Sequence, residues 1–302
     1  MSSVLTNVGA KVMSIGKQNA QLHLATKRDI PQILELYYAE GWIDYSYDEL
    51  EYLFDVAPNC CFKLTFEGKL IGVNFATLAG NGICYPHSNL LSTAYRSKVN
   101  YFEEAVKYND YLKQLSSLDV LYAAKKVIRI YQSGGGFIPL GYYRRASINV
   151  MPIRLTDNLA REANDEDYPA IYSLCKDVYH ADRQNLIRYF VDRGIAKAFV
   201  LPSSDGGISA FAMVRKLPKY YLIGPVLAND EVSAAQIVAA AAKGQPDGTV
   251  MIEGGEEKLS TLLDNHFSYQ WEENMMLKMY RGDKTLLEDE SRIYSVFARY
   301  TS

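Results

Sequence analysis

The chain has 302 residues, 48% hydrophobic and 22% charged. That is the composition of a folded globular protein long enough for two domains, and it excludes disordered, collagen-like and low-complexity chains. Lys plus Arg number 32 and Asp plus Glu 35, a net charge of −3. No basic block is long enough to follow a phosphate backbone, so nucleic acid is not an expected partner.

No apolar stretch approaches the roughly 20 residues of a membrane span. Residues 1 to 21 lack both the charged start and the apolar centre of a signal peptide. The expectation is therefore a cytoplasmic protein without a membrane partner, residues 1–20 forming a flexible or helical arm. Cys60, Cys61, Cys84 and Cys175 make no metal-ligand spacing and are too few for a disulfide scaffold, so they are expected as small buried hydrophobes and no metal site is expected. The 24 tyrosines against two tryptophans point to strands and pocket walls where a ring packs and its hydroxyl finds a partner.

In chain order, a strand over Gln21 to Thr26 leads to Asp29-Ile30-Pro31, where Pro31 opens a helix carrying Ile33, Leu34, Leu36 and Tyr37. Ser46 precedes Tyr47-Asp48-Glu49 as the cap of a second helix to Phe54. Cys61 to Phe66, the turn Glu67-Gly68 and Lys69 to Leu78 form a hairpin. Ile83 to Ser92 is a strand, Tyr95 to Leu115 a long helix, Val120 to Ala124 a strand and Lys126 to Ser133 a short helix, broken by Gly134-Gly135-Gly136 before strands around Phe137 to Val150.

The second half repeats this order. Leu159 to Ala163 is a strand; helices follow to Cys175 and over Asp182 to Arg193. Ala198 to Leu201 and Ile208 to Arg215 make a hairpin, and Tyr220 to Leu227 is a strand. Then come the helix Glu231 to Lys243, the strand Thr249 to Glu253, the helix Glu257 to Asn265, and strands Gln270 to Tyr280 and Ile293 to Tyr300. Two copies of one mixed α/β unit is the simplest description, with domains at 21–151 and 158–302 and the boundary near Pro152 to Asn158.

This order resembles the GNAT superfamily of acyl-CoA-dependent N-acyltransferases over nearly the whole chain after about residue 20. The resemblance rests on Ala25-Thr26-Lys27-Arg28-Asp29-Ile30-Pro31 and its echo from Arg161 to Tyr168, on the Glu67-Gly68-Lys69-Leu70-Ile71-Gly72 hairpin, and on Tyr131 ahead of Gly136-Phe137. The second half is similar to the carboxy-terminal GNAT-like domain of certain bacterial tandem proteins in Ile223-Gly224-Pro225-Val226-Leu227-Ala228 and Met279-Tyr280-Arg281-Gly282. The implied fold is two tandem GNAT-like domains, each a mixed, mostly antiparallel sheet flanked by helices. The implied activity is acyl transfer, of acetyl type, from an acyl-CoA co-substrate in the amino-terminal domain to a small amine. The rival is a non-catalytic acyl-CoA or metabolite binder, and a homodimer is left open.

In the family, an Arg/Gln-x-x-Gly-x-Gly/Ala loop and the following helix N-terminus receive the coenzyme pyrophosphate. Here Tyr95-Arg96-Ser97-Lys98-Val99-Asn100-Tyr101 takes that place. Leu91, Thr93, Arg96, Ser97, Lys98 and Asn100 are the implied coenzyme contacts, while Val99 and Tyr101 replace both small residues and should crowd the phosphate. Asp230 and Glu231 put two carboxylates at the equivalent loop of the second half, and His266-Phe267 stands where the family has Gly-Phe, so that half is not expected to bind coenzyme A in the standard way.

Acyl transfer needs an acid for the departing thiolate and a base for the amine. The resemblance implies Tyr131 as the acid. The strand Ile83 to Ser92 holds no carboxylate, leaving His87 as the candidate base, and period-two alternation puts His87 on one face with Asn89 and Leu91. Glu40, Trp42, Asp44 and Tyr45, between the first two helices, are the candidate acceptor-binding residues.

Overall fold

The computed structural model describes residues 20–79, 82–149, 159–204, 206–245 and 248–297. The expected arm before residue 20 and the expected boundary at 152–158 lie outside these. The first repeat comprises β1 (Gln21–Leu24), α1 (Ile30–Ala39), α2 (Tyr47–Val56), β2 (Cys61–Phe66), β3 (Lys69–Ala79), β4 (Ile83–Leu91), α3 (Tyr101–Leu115), β5 (Leu118–Ala124), α4 (Ile128–Gly135) and β6 (Ile138–Asn149). The second comprises β7 (Arg161–Glu162), α5 (Tyr168–Tyr179), α6 (Gln184–Asp192), β8 (Ala196–Pro202), β9 (Ile208–Lys216), β10 (Tyr221–Ala228), α7 (Glu231–Lys243), β11 (Val250–Gly255), α8 (Glu256–His266), β12 (Ser268–Gly282) and a short β13 (Ile293–Ser295).

The repeat is visible in local chemistry. Asp29 accepts the Thr26 N–H at 2.8 Å and Asp167 accepts the Asn164 N–H at 2.8 Å, so one capping arrangement opens α1 and α5. The Glu67-Gly68 turn has positive φ at both residues, as the tightest hairpins require. Two expected boundaries move. The long helix begins at Tyr101 instead of Tyr95, because Val99 drops into the apolar pocket of Leu64, Ile71 and Leu91 and breaks the helical phase. Helix α4 uses two of the three glycines, and the left-handed Gly136 ends it.

The thirteen strands of the described residues form one sheet, in the order β1-β2-β3-β4-β5-β12-β6-β11-β10-β9-β8-β7, with β13 beside β10. The repeats exchange their last long strands. β12 runs antiparallel to β5 from Leu118↔Gly282 to Ala124↔Met276, and β6 runs antiparallel to β11 from Tyr143↔Gly255 to Ile148↔Val250. β6 and β12 also pair with each other.

Helices α1, α2, α5 and α6 share one face and one core, which includes Ile33, Leu53, Phe75, Ile171, Phe190 and Phe211. On the other face α3 packs through Tyr108 and Leu112, α4 beside Leu121 and Phe137, and α7 and α8 over Ala212 and Ile252. Glu49 on α2 and Arg215 on β9 are a buried ion pair between the repeats, and Arg193 reaches Glu51 at 2.6 Å.

Because each repeat completes its sheet with the other's strand, residues 1–155 and 156–302 expressed separately would each expose long unpaired edges. Neither is expected to give a cooperative thermal transition alone, and co-expression is expected to restore one. A half that melts cooperatively by itself would contradict this.

Candidate functional site

Strands β4 and β5 are parallel neighbours only at Ile83↔Leu118 and Cys84↔Asp119. Beyond Cys84 they diverge into a V. At its open end β4 carries a bulge: Phe75 pairs with His87 and Val73 with Leu90, so Ser88 and Asn89 together face Asn74, and Ser88 takes φ 50°. The bulge resets the alternation. His87 and Leu90 lie on the face of α1 and α2, whereas Asn89 and Leu91 lie on the face of α3, correcting the expectation that His87 shares a face with Asn89 and Leu91.

On the α3 face, Tyr131 packs edge-on to Phe137, and Asn89 Nδ2 donates to the Tyr131 hydroxyl at 3.2 Å. Burial raises the Tyr131 pKa, which keeps the phenol protonated at neutral pH. Tyr101 donates to Asn74 Oδ1 at 2.6 Å. Asn74 Nδ2 and Asn89 Oδ1 are buried and find no partner among the described residues. One orphan donor and one orphan acceptor therefore stand beside the Tyr131 phenol, a pair that a ligand amide would satisfy.

On the α1–α2 face, His87 is buried, with Nε2 3.2 Å from Thr77 Oγ1 and Nδ1 2.9 Å from Ser88 Oγ. Burial pushes its pKa down to about 3. Ser88 Oγ lies 2.9 Å from the Tyr45 hydroxyl, and Tyr45 stacks on Trp42 with centroids 6.3 Å apart. The structure thus joins His87, Tyr45 and Trp42 through Ser88. Asp44 turns away, to Arg145 at 2.9 Å and to Tyr220.

Glu40 also leaves the acceptor wall. Its carboxylate accepts the Thr93 N–H and hydroxyl, each at 2.7 Å, and Arg96 Nη2 at 3.2 Å. Burial alone would raise its pKa, but the Thr93 hydrogen bonds and Arg96 together hold it below the ordinary value. Arg96 Nε donates to Leu91 O, Ser97 is exposed, Lys98 lies over the Tyr95 ring at 5.2 Å, and Asn100 precedes α3 at its N-cap position without a side-chain cap bond. Val99 is buried and the Tyr101 hydroxyl points to Asn74, so neither side chain fills the solvent side of the loop as the crowding expectation supposed.

The second repeat builds the same V and fills it. Beyond Ile223↔Ile252, β10 and β11 part at a bulge formed by Gly224-Pro225. The chain's own segment 293–297 enters the gap: Ser295 pairs with Val226 and Ile293 with Leu227, the Val296 N–H donates to Glu253 O at 2.9 Å, and Ser295 Oγ lies 2.8 Å from both Ile223 O and Glu253 O. The fit is tight enough to require glycine on both walls. A Cβ on Gly224 would stand 2.0 Å from Val296 O, and one on Gly254 2.3 Å from Tyr294 O. At the start of α7, Asp230 accepts the Ser233 N–H at 2.8 Å, and α8 has no tyrosine; Leu259, Leu262 and Leu263 face the core instead.

Residues 171–295 match the family model described as Acetyltransferase (GNAT) domain. The match places the GNAT acetyltransferase pattern on the second repeat, and the described residues as a whole have the GNAT fold. A Pyrococcus horikoshii protein assigned to the acetyltransferases superposes with a TM-score of 0.78 at 16% identity, over 94% of this chain and 96% of its own. A tandem GNAT protein of the clavulanic acid biosynthesis pathway gives 0.63 at 11% identity, over 87% and 98%. Saccharomyces cerevisiae N-myristoyltransferase, solved with bound myristoyl-CoA, gives 0.62 at 11% identity, over 93% and 86%. No curated protein matches the chain in sequence.

Sequence reasoning missed Ser88 and Asn74, and it read a strand from Ile293 without placing it in the second cleft. An amide inside the apolar run Ile71 to Phe75 is a legible signal for Asn74; the positive φ of Ser88 has none. With its pKa near 3, the His87 imidazole should show no NMR titration between about pH 8 and about pH 5. The unfolded ring protonates near 6.5 and the folded one only near 3, so its contribution to stability should fall as pH drops through that window. A His87 resonance titrating near 6.5 would overturn the assignment.

Proposed function

We propose that the chain is an acyl-CoA-dependent N-acyltransferase, of acetyl type, whose first repeat transfers the acyl group to a small amine. The observation that carries the reading is the contrast between the two clefts: the β10–β11 gap holds the chain's own residues 293–297, while no described segment pairs into the β4–β5 gap beside Tyr131 and the orphan amide atoms. A coenzyme A thioester suits the latter. Its pantetheine arm carries amides for Asn74 and Asn89, and its phosphates meet Arg96, Ser97, Lys98 and the start of α3.

In this reading the amine nitrogen attacks the thioester carbonyl carbon, the C–S bond breaks, the thiolate takes the Tyr131 proton, and the proton lost by the attacking nitrogen passes through solvent to restore the Tyr131 phenol. On the same reading the β4 backbone, whose pairing with β5 ends at Cys84, supplies N–H groups to the developing oxyanion. His87, at a pKa near 3, is too weak a base to hold the amine's proton at neutral pH. The His87–Ser88–Tyr45 chain serves instead to orient the acceptor. Two observations favour the alternative of a non-catalytic binder of acyl-CoA or a metabolite: this lack of a strong base, and the engagement of Thr93 and Arg96 by Glu40.

Calorimetry with acetyl-CoA is expected to give one site per chain. Arg96→Ala should weaken binding by about 1–3 kcal/mol, the scale of a charge-assisted hydrogen bond. Tyr131→Phe should leave affinity nearly unchanged and lower kcat by about 10² to 10⁴. Wild-type turnover in the phenylalanine variant would remove the acid role; coenzyme binding without turnover of any amine would favour the binder.

A further inference from the structure

The loop between α1 and α2 carries the two rings, Trp42 and Tyr45, that stand on the acceptor side of the first repeat. Asp44 lies between them and faces the other way. Its Oδ2 accepts Arg145 Nη2 at 2.9 Å, and its Oδ1 accepts the Tyr220 hydroxyl. Arg145 is buried on β6, and Tyr220 immediately precedes β10. The guanidinium also donates from Nε and Nη2 to Glu253 Oε2 at 3.1 and 2.8 Å, and from Nη1 to Tyr220. Glu253 lies on β11, directly across from Arg145, and its backbone oxygen accepts the Val296 N–H. The charge-assisted hydrogen bonds of Arg145 thus link Glu253, whose backbone also lines the filled cleft of the second repeat, to the acceptor loop of the first.

Resting on the reading above, we propose that Arg145 is a positioning residue for the acceptor: clamped between Glu253 and Asp44, it fixes loop 41–45 and so sets where Trp42 and Tyr45 stand. The physical reason is the asymmetry of the two carboxylates. Glu253 is buried, with a side-chain exposure of 3%, and anchors the guanidinium; Asp44, at 31%, is the end that a mobile loop can release. Glu40 ties the start of the same loop to Thr93, and the Tyr45 hydroxyl ties its end to Ser88. Asp44 is the tie between them that reaches β6 at Arg145 and, through Tyr220 and the Arg145–Glu253 pair, the second repeat. The second repeat then contributes to the reaction without touching the thioester.

The test needs no known acceptor. The chain has two tryptophans, so Trp271→Phe leaves Trp42 in the loop as the sole tryptophan, excited selectively beyond the tyrosine band. In that background Asp44→Asn and Arg145→Gln should each raise acrylamide quenching of Trp42 by about two-fold or more, as expected when a held loop opens locally. Asp44→Asn leaves the Arg145–Glu253 pair intact, so its melting temperature should stay at the parent value and the quenching change reports the loop alone. With an amine that turns over, both variants should raise the amine KM by about ten-fold while the acyl-CoA KM stays within about two-fold, a split that general destabilisation would not produce. Unchanged Trp42 quenching in Asp44→Asn would overturn the proposal. If the parent shows no turnover, the transferase reading fails while the quenching result still decides the role of Arg145.

Discussion

The pairing of β6 with β12 at the middle of the sheet is the constraint on which the rest depends. Each strand belongs by sequence to one repeat and completes the sheet of the other, so neither cleft exists without both halves of the chain. The crossing is reinforced by Lys278, buried on β12. Its ammonium pairs with Glu288 and Glu290 and lies near the rings of Tyr122 and Tyr143, while Tyr143 donates to Glu290 at 2.7 Å. Removing one member of such a pair leaves an uncompensated buried charge, typically at a cost of about 3–5 kcal/mol. The cluster ties β12, β6 and the loop before β13 into one unit, and that loop delivers residues 293–297 to the second cleft.

Two V-shaped gaps of one construction have therefore met different ends. In the second repeat a peptide segment pairs with β10 and lies between two glycines that touch its backbone. In the first, the facing edges of β4 and β5 have no neighbouring strand among the described residues, and a phenol and two half-satisfied amides stand at the opening. The family match falls on the second repeat, the one whose gap is filled. A match of that kind follows the packing pattern of strands and helices, which survives intact there; it does not follow the ligand space. Fold and site have to be argued from different atoms.

Much of the fold was legible because it is local. The capping at Thr26–Asp29 and Asn164–Asp167, the Glu67-Gly68 hairpin and the apolar stripes of α1 and α5 each specify an element from a few neighbouring residues, and their repetition gives the architecture. The strand exchange was not legible, since β6 and β12 have the same alternating pattern whichever partner they join. Nor was the bulge at Ser88: a single extra residue inverts the face of everything before it, which is how His87 came to be placed beside Asn89 in the sequence reading. Tyr131 stands on the helix after β5 and Arg96 to Asn100 on the segment before α3, positions that follow from the order of elements alone.

The charges of the acceptor side show what side-chain chemistry adds to that order. Read from sequence, Glu40 and Asp44 suggest a wall that attracts an ammonium by its charge. In the folded chain both carboxylates are committed elsewhere, Glu40 to Thr93 and Arg96, and Asp44 to Arg145 and Tyr220. What the loop has left to present is the stacked pair Trp42 and Tyr45 and the hydroxyl chain through Ser88. Under the proposed transferase function, an amine meeting that surface would face aromatic rings and neutral hydroxyls in place of a free carboxylate pair. The same neutrality fits a site without a strong base, because an amine that sheds water and charge on entry asks less of the residues that must take its proton.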